Sequence, residues 1–386
     1  MTSDDKTIRP FRMDIPQADI DDLRERLART RWPDEQPDAG WRYGAPLAYV
    51  KELAEYWRTQ YDWRKHEARL NEFPQFTTTI DGTNVHFIHV RSPEPDALPL
   101  IITHGWPGSI VEFTEMIGPL SDPAAHGGDR RDAFHVVAPS IPGYGFSGHT
   151  TDAGWHMRRV AEAFAELMSR LGYERYVAQG GDWGSGISRE LGILDAEHIA
   201  GVHLNMLTTT PTEEDFPHLT DVEKGRLAKG QLFMQEGRAY GMQQSTRPQT
   251  LAYGLADSPA GQLAWIVEKF KEWTDSKERP EDAVDRDQML TNVSIYWFTN
   301  TGGSSARLYY ETAKARAMWG SSPTVSTTPT AVAVFPQEIA PSVRRIAERY
   351  NNVAQWSEFE RGGHFAAMEQ PQALIEDMRK FFRTLR

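Results

Sequence analysis

Short apolar runs recur at 100–103, 134–138, 176–178 and 201–205, each separated from the next by a stretch with helical spacing. Strands buried on both faces read as continuous apolar runs, and their alternation with helices marks a parallel sheet with crossover helices. The spacing therefore predicts an α/β fold. Ahead of these runs the pattern is different. Ile20, Leu23 and Leu27 share one helical face, and Tyr49, Leu53, Tyr56 and Trp57 share a second, with polar residues opposite. Stripes apolar on one side need a surface to cover. Residues 1–95 are thus expected as an N-terminal extension lying against the main body and lid, ending in a hairpin of 76–80 and 85–90 turned at Asp81-Gly82-Thr83-Asn84. From 209 to 324 strand patterns give way to helical stripes such as Leu263, Ile266, Val267 and Phe270, which predicts an inserted helical lid. Alternation returns over 325–386, so the core is expected from 96–208 together with 325–386.

Composition narrows the function classes. The chain has 386 residues and no cysteine, which excludes disulfides and thiol catalysis. Its net charge of −12 leaves no excess of Lys or Arg to neutralise phosphates, so no nucleic-acid partner is expected. The acids are dispersed on amphipathic helices, as over 21–27, and read as solvated surface. Charges at Asp4, Asp5, Lys6, Arg9, Arg12 and Asp14 break up the first residues, and no apolar run there approaches the ~18–20 residues that span a bilayer. With no signal-peptide core either, a cytoplasmic protein without a membrane anchor is expected.

Candidate chemistry lies on the loops after the strands. In AQGGDWGSG at 178–186, Asp182 sits amid glycines directly after a strand-like run. α/β-Hydrolases hold their nucleophile on such a strand-to-helix turn, usually as serine. An aspartate there is already ionised at neutral pH and suits displacement at saturated carbon. HGWPGS at 104–109 follows another strand, on a loop that can aim a backbone N–H at the reaction centre. With the residue after the nucleophile, this nominates the amides of Trp106 and Trp183 as an oxyanion hole. His364 lies in the glycine-loosened loop after the last strand, and Glu338 just past the tip of the strand before it. Glu358 and Glu360 are the alternative acids, but they sit on or beside the last strand itself; the strand after the nucleophile helix ends at Asn205, which cannot ionise. The order nucleophile, acid, histidine is that of the α/β-hydrolases. His104 is expected to shape its loop, and the tryptophans at 32, 41, 57 and 63 to pack the extension. The 12 histidines show no H-E-x-x-H pattern, so no metal site is expected.

Five phrases carry a resemblance: HGWPGS at 104–109, GGDWGS at 180–185, RGGHFAAMEQP at 361–371, the long stretch 245–270, and LTNVSIYWFTN at 290–300. The chain resembles epoxide hydrolases of the microsomal branch of the α/β-hydrolase superfamily from about Ile8 to its end, in a soluble bacterial form without the membrane anchor of the animal enzymes. The resemblance implies an α/β-hydrolase fold with a mostly parallel eight-stranded sheet, a helical lid and an N-terminal extension. It implies an epoxide and water as substrates, a vicinal diol as product, and no metal or organic cofactor. Asp182 is expected to form a hydroxyalkyl ester, which water activated by His364 and Glu338 hydrolyses. Two lid tyrosines are expected to donate to the epoxide oxygen: Tyr240, and Tyr309 with its neighbour Tyr310 as the alternative. A haloalkane dehalogenase uses the same Asp and His but has no role for paired lid tyrosines; a silent binding protein would not keep both nucleophile and base. The lid aromatics Phe233, Tyr240, Trp265, Trp297 and Phe298 suggest a hydrophobic or aromatic epoxide. Soluble bacterial relatives include enzymes that open epoxides on natural-product intermediates and others that act on simple aryl or alkyl epoxides. The resemblance therefore admits a natural-product intermediate as substrate in an antibiotic-biosynthetic role as well as a detoxifying one, and it fits a homodimer.

Overall fold

The computed structural model describes residues 5–316 and 324–386. Nine strands form one sheet: β1 (Arg9–Phe11), β2 (Gln75–Ile80), β3 (Thr83–Val90), β4 (Leu98–Thr103), β5 (Phe134–Pro139), β6 (Tyr176–Gly180), β7 (Ile199–Asn205), β8 (Ser326–Val334) and β9 (Asn351–Glu358). Their order is β1-β2-β3-β5-β4-β6-β7-β8-β9. From β5 to β9 all pairs are parallel; β1, β2 and β3 join antiparallel at one edge. The sheet has one strand more than expected. Arg9–Phe11 pairs with β2, Arg9 opposite Thr77. Three residues are too few to show a period, and Pro10 reads as a breaker although an edge strand tolerates it.

The central strands β4, β5 and β6 are almost wholly buried because crossover helices cover the sheet. Helix Met157–Arg170 shows the pattern that achieves this. Val160, Ala161, Phe164, Leu167 and Met168 fall on one face and are buried. Between β7 and β8 the described residues form helices only, from Asp221–Leu232 to Gly302–Lys314. The junction expected at 324 falls beside residues 317–323, which lie outside the described residues.

The N-terminal helices Gln17–Ala28 and Leu47–Thr59 bury the faces their spacing indicated, and a third helix, Trp63–Leu70, buries Trp63, Glu67 and Leu70. Polar contacts then fasten them to the segment between β7 and β8. Trp57 Nε1 donates to Ser294 Oγ at 3.0 Å, Tyr56 OH to Asp287 at 2.8 Å and Tyr49 OH to Glu281 at 3.1 Å. The tryptophans at 57 and 63 are buried, while those at 32 and 41 pack half-exposed at the rim. No helix among the described residues is long and apolar enough to cross a membrane.

Candidate active site

Strand β6 ends in Gly180-Gly181 and turns directly into helix Asp182–Leu194. Asp182, the first residue of that helix, holds φ +49°. A non-glycine residue in this left-handed region is uncommon, and such outliers collect at functional sites. The glycines around it have a steric cause. A Cβ on Gly180 would overlap the Gly184 carbonyl, one on Gly184 the Thr103 carbonyl, and one on Gly105 the Asp182 side chain itself. The turn therefore sits tight between β4 and its own helix, and its carboxylate lies at the positive end of the helix dipole.

Each oxygen of Asp182 has a different environment. Oδ1 accepts a hydrogen bond of 2.7 Å from the Trp106 N–H. Oδ2 faces His364 Nε2 at 3.3 Å. The Trp106 loop is braced from behind: Asn292 Nδ2 donates to the Pro107 carbonyl at 2.7 Å and Tyr296 OH to the Gly108 carbonyl at 2.8 Å. His104 is buried in the same loop, where Ile141 N–H donates to its Nε2 at 3.2 Å, and burial holds its pKa down to about 4. It shapes the loop as expected. Trp183 follows Asp182 in the helix, with its indole edge-on to Tyr309 at 4.7 Å.

The loops after β8 and β9 meet where Gln337 bridges to Gly363. This brings Glu338 to His364: Oε1 accepts from Nδ1 at 2.7 Å and from the Ile339 N–H at 2.7 Å. Both side chains are buried, at 3% and 2% exposure. Loss of hydration alone would lower the His364 pKa, but the carboxylates of Glu338 and Asp182 outweigh it and hold the pKa well above its usual value. Glu358 is exposed and paired with Arg226 at 2.7 Å, and Glu360 is exposed.

Tyr240 and Tyr309 come together within range of the Asp182 charge. The Tyr240 ring stacks on Trp106 at 4.9 Å, and Tyr309 meets Tyr240 edge-on at 5.9 Å. Both are buried, and burial pushes both phenols well above their usual pKa, so both stay protonated. Tyr310 instead lies half-buried on the other side of its helix, under Lys314 Nζ at 5.3 Å. Of the lid aromatics, Phe233 lines a cavity that Tyr240 and Tyr309 also line. Trp297 and Phe298 pack against the N-terminal extension instead, under Arg26 and beside Trp63.

Three residues near the site were not singled out from the sequence. The Trp273 carbonyl accepts the His364 N–H at 2.8 Å, and its ring lies 4.8 Å from the imidazole and 5.2 Å from Tyr240. Lys269, only 3% exposed, sits 4.8 Å from the Tyr240 ring and pairs with Glu268. Glu112 reaches back to Gly108, close enough for His364 and Asp182 to act on its charge. A sequence signal existed for Lys269, which falls three residues after Ile266 and four before Trp273 on the apolar face of its helix.

Comparison with known proteins agrees with this architecture. Residues 8–113 match a family described as epoxide hydrolase N terminus, and 99–371 match the alpha/beta hydrolase fold. A putative epoxide hydrolase of Stigmatella aurantiaca is 49% identical over 380 residues, covering 98% of this chain and 86% of its own. The Aspergillus niger epoxide hydrolase structure superposes with a TM-score of 0.88 at 33% identity, covering 98% and 97% of the two chains. The juvenile hormone epoxide hydrolase of the silkworm Bombyx mori gives 0.90 at 30% identity, covering 99% and 96%. The matching N-terminal segment, the hydrolase fold over most of the chain and a relative 49% identical over nearly its full length place the chain in one family: it belongs to the epoxide hydrolases of the α/β-hydrolase fold.

Proposed function

We propose that this enzyme opens its epoxide in two steps through a covalent ester on Asp182. The observation that carries this reading is the unequal setting of the two Asp182 oxygens beneath a pair of protonated phenols. Oδ1 is engaged by the Trp106 N–H, so Oδ2 is the oxygen that attacks carbon. As the C–O bond of the ring breaks, Tyr240 and Tyr309 hydrogen-bond the departing oxygen, and one of them protonates it. A hydroxyalkyl ester remains, its carbonyl oxygen on the Trp106 N–H. Ester formation also removes the Asp182 charge that helped to hold a proton on His364. With only Glu338 left beside it, His364 becomes a stronger acid, loses that proton more easily, and in its neutral form takes one from water. The proton that His364 gives up restores the phenol that protonated the epoxide oxygen. Hydroxide adds to the ester carbonyl, and the amides of Trp106 and Trp183 stabilise the oxyanion. As the acyl C–O bond breaks, the departing diol oxygen takes from His364 the proton it drew from water, and the freed Asp182 carboxyl returns its own proton to His364. Detachment of halide from a haloalkane would need the same carboxylate and base, but leaves the buried phenol pair without work.

The test is intact mass of the His364→Gln variant after exposure to aryl and alkyl epoxides and, separately, to haloalkanes. Without the base, attack should proceed and hydrolysis stop. The expected result is an adduct equal to the whole epoxide, mapped to the peptide of Asp182. An alkyl adduct from a haloalkane, with none from any epoxide, would overturn the reading.

A further inference from the structure

The chamber that ends on Tyr240 and Tyr309 has a volume of about 590 Å³, within the range of small-molecule sites. Met206, Phe233, Met234 and Ile339 give it apolar walls. Its charged lining is one-sided: Lys224, Arg226 and Arg238 border it, and no Asp or Glu does. The chain carries 54 acidic residues against 42 Lys and Arg, so a wall with cations alone runs against its composition. Two of these cations are already engaged. Lys224 lies 3.2 Å from Asp221, and Arg226 2.7 Å from Glu358. The third is different. Among the described residues, the Arg238 guanidinium has neither an ion pair nor a hydrogen bond, although it is half-buried. It precedes Tyr240 by two residues, at the end of a π-helical turn (Phe233–Gly237), a distortion that recurs at functional sites. Its charge is near enough to act on the Tyr240 phenol.

A half-enclosed guanidinium loses hydration that only an acceptor can replace. Its planar fork fits a carboxylate through two parallel hydrogen bonds. The charge count favours a monoanion, because a phosphate monoester brings about two charges and, among the described residues that line the chamber, Arg238 is the one cation without an ion pair. We propose that the substrate is an apolar epoxide bearing a carboxylate, which Arg238 holds while the ring meets Tyr240 and Tyr309. This specificity rests on the epoxide-opening reading given above.

The experiment compares kcat/KM for three alkyl epoxides of one chain length, ending in a carboxylate, its methyl ester or a phosphate monoester. Styrene oxide serves as a simple neutral reference. The expected result is a preference of about tenfold or more for the acid over the ester, carried by KM because the contact is made equally in ground and transition states. That ratio should fall towards one in Arg238→Met, persist in part in Arg238→Lys, and shrink with added salt. Equal melting temperatures would show that both variants fold. An acid-to-ester ratio at or below one in the unaltered enzyme, a ratio unchanged in Arg238→Met, or a better phosphate than carboxylate each overturns the proposal. Turnover of styrene oxide without the acid removes the carboxylate specificity alone. Turnover of none of the four removes the epoxide reading and this inference with it.

Discussion

Replacing Glu338 by glutamine changes one charge and little else. The amide oxygen can still accept from His364 Nδ1 and from the Ile339 N–H, the two donors that converge on Oε1 at 2.7 Å. What disappears is a buried attraction, worth about 4 kcal/mol for unit charges ~4 Å apart at an effective dielectric of ~20. In the free enzyme Asp182, 3.3 Å from Nε2, supplies a second negative charge to His364. In the proposed ester Asp182 would be neutral, leaving Glu338 to stabilise the imidazolium that forms as water is deprotonated. The loss should therefore fall on hydrolysis. A deficit of ~3–4 kcal/mol slows that step by about 10²–10³-fold, while attack by Asp182 slows by less than about tenfold. Rapid mixing with a turned-over epoxide, acid quench and intact mass at successive times would follow both steps. Most of the Glu338→Gln enzyme should carry the ester at steady state. Two results would refute the reasoning: turnover within about threefold of the parent, or slow turnover without accumulated ester, since the latter places the charge in the attack step.

Two further outcomes test the surroundings of the site. Gly184→Ala should cost more than ~3 kcal/mol or prevent folding, because its Cβ would meet backbone of β4, which cannot swing aside. Gly225→Ala, in helix Asp221–Leu232 with nothing within 4 Å, should gain up to ~1 kcal/mol, and urea denaturation of the pair settles the contrast. Glu112, pushed up to about 8 by lost hydration against the pull of His364, makes stability depend on pH. Between its ordinary value of 4.5 and about 8 the folded chain keeps a proton that the unfolded chain has released, so stability falls as pH rises through that window. Glu112→Gln should match the parent near pH 4 and exceed it by ~1–3 kcal/mol at pH 8.5; parallel pH profiles would refute this assignment.

The readable parts of the site were those tied to backbone geometry. Asp182 and His364 stand at turns after strands, where glycines mark places in which side chains would collide, and Glu338 stands just past the tip of β8. The tyrosine pair needed more. One-residue spacing separates Tyr309 from Tyr310, and only packing against Trp106 and Trp183 decides which faces inward. Lid aromatics misled for a related reason. An apolar stripe reveals that a face is buried, not what buries it, and Trp297 and Phe298 turn to the extension rather than to substrate. Trp273 was hidden in the same way, at the end of a helix whose stripe reads as ordinary core. Arg9–Phe11 is a strand only because an edge was waiting for it.

Tyr49, Tyr56 and Trp57 find their partners 231 to 237 residues further along the chain. At synthesis rates of about 5–20 residues per second, the helices that carry them leave the ribosome roughly 10–50 s before those partners exist. In that interval the helices have one another to pack against but lack the partners that anchor them to the rest of the chain. The first helices to be made are thus seated late, by helix Arg286–Phe298, which also supplies the Asn292 and Tyr296 braces of the Trp106 loop. What looks in the finished molecule like a brace is, in the order of assembly, a late latch.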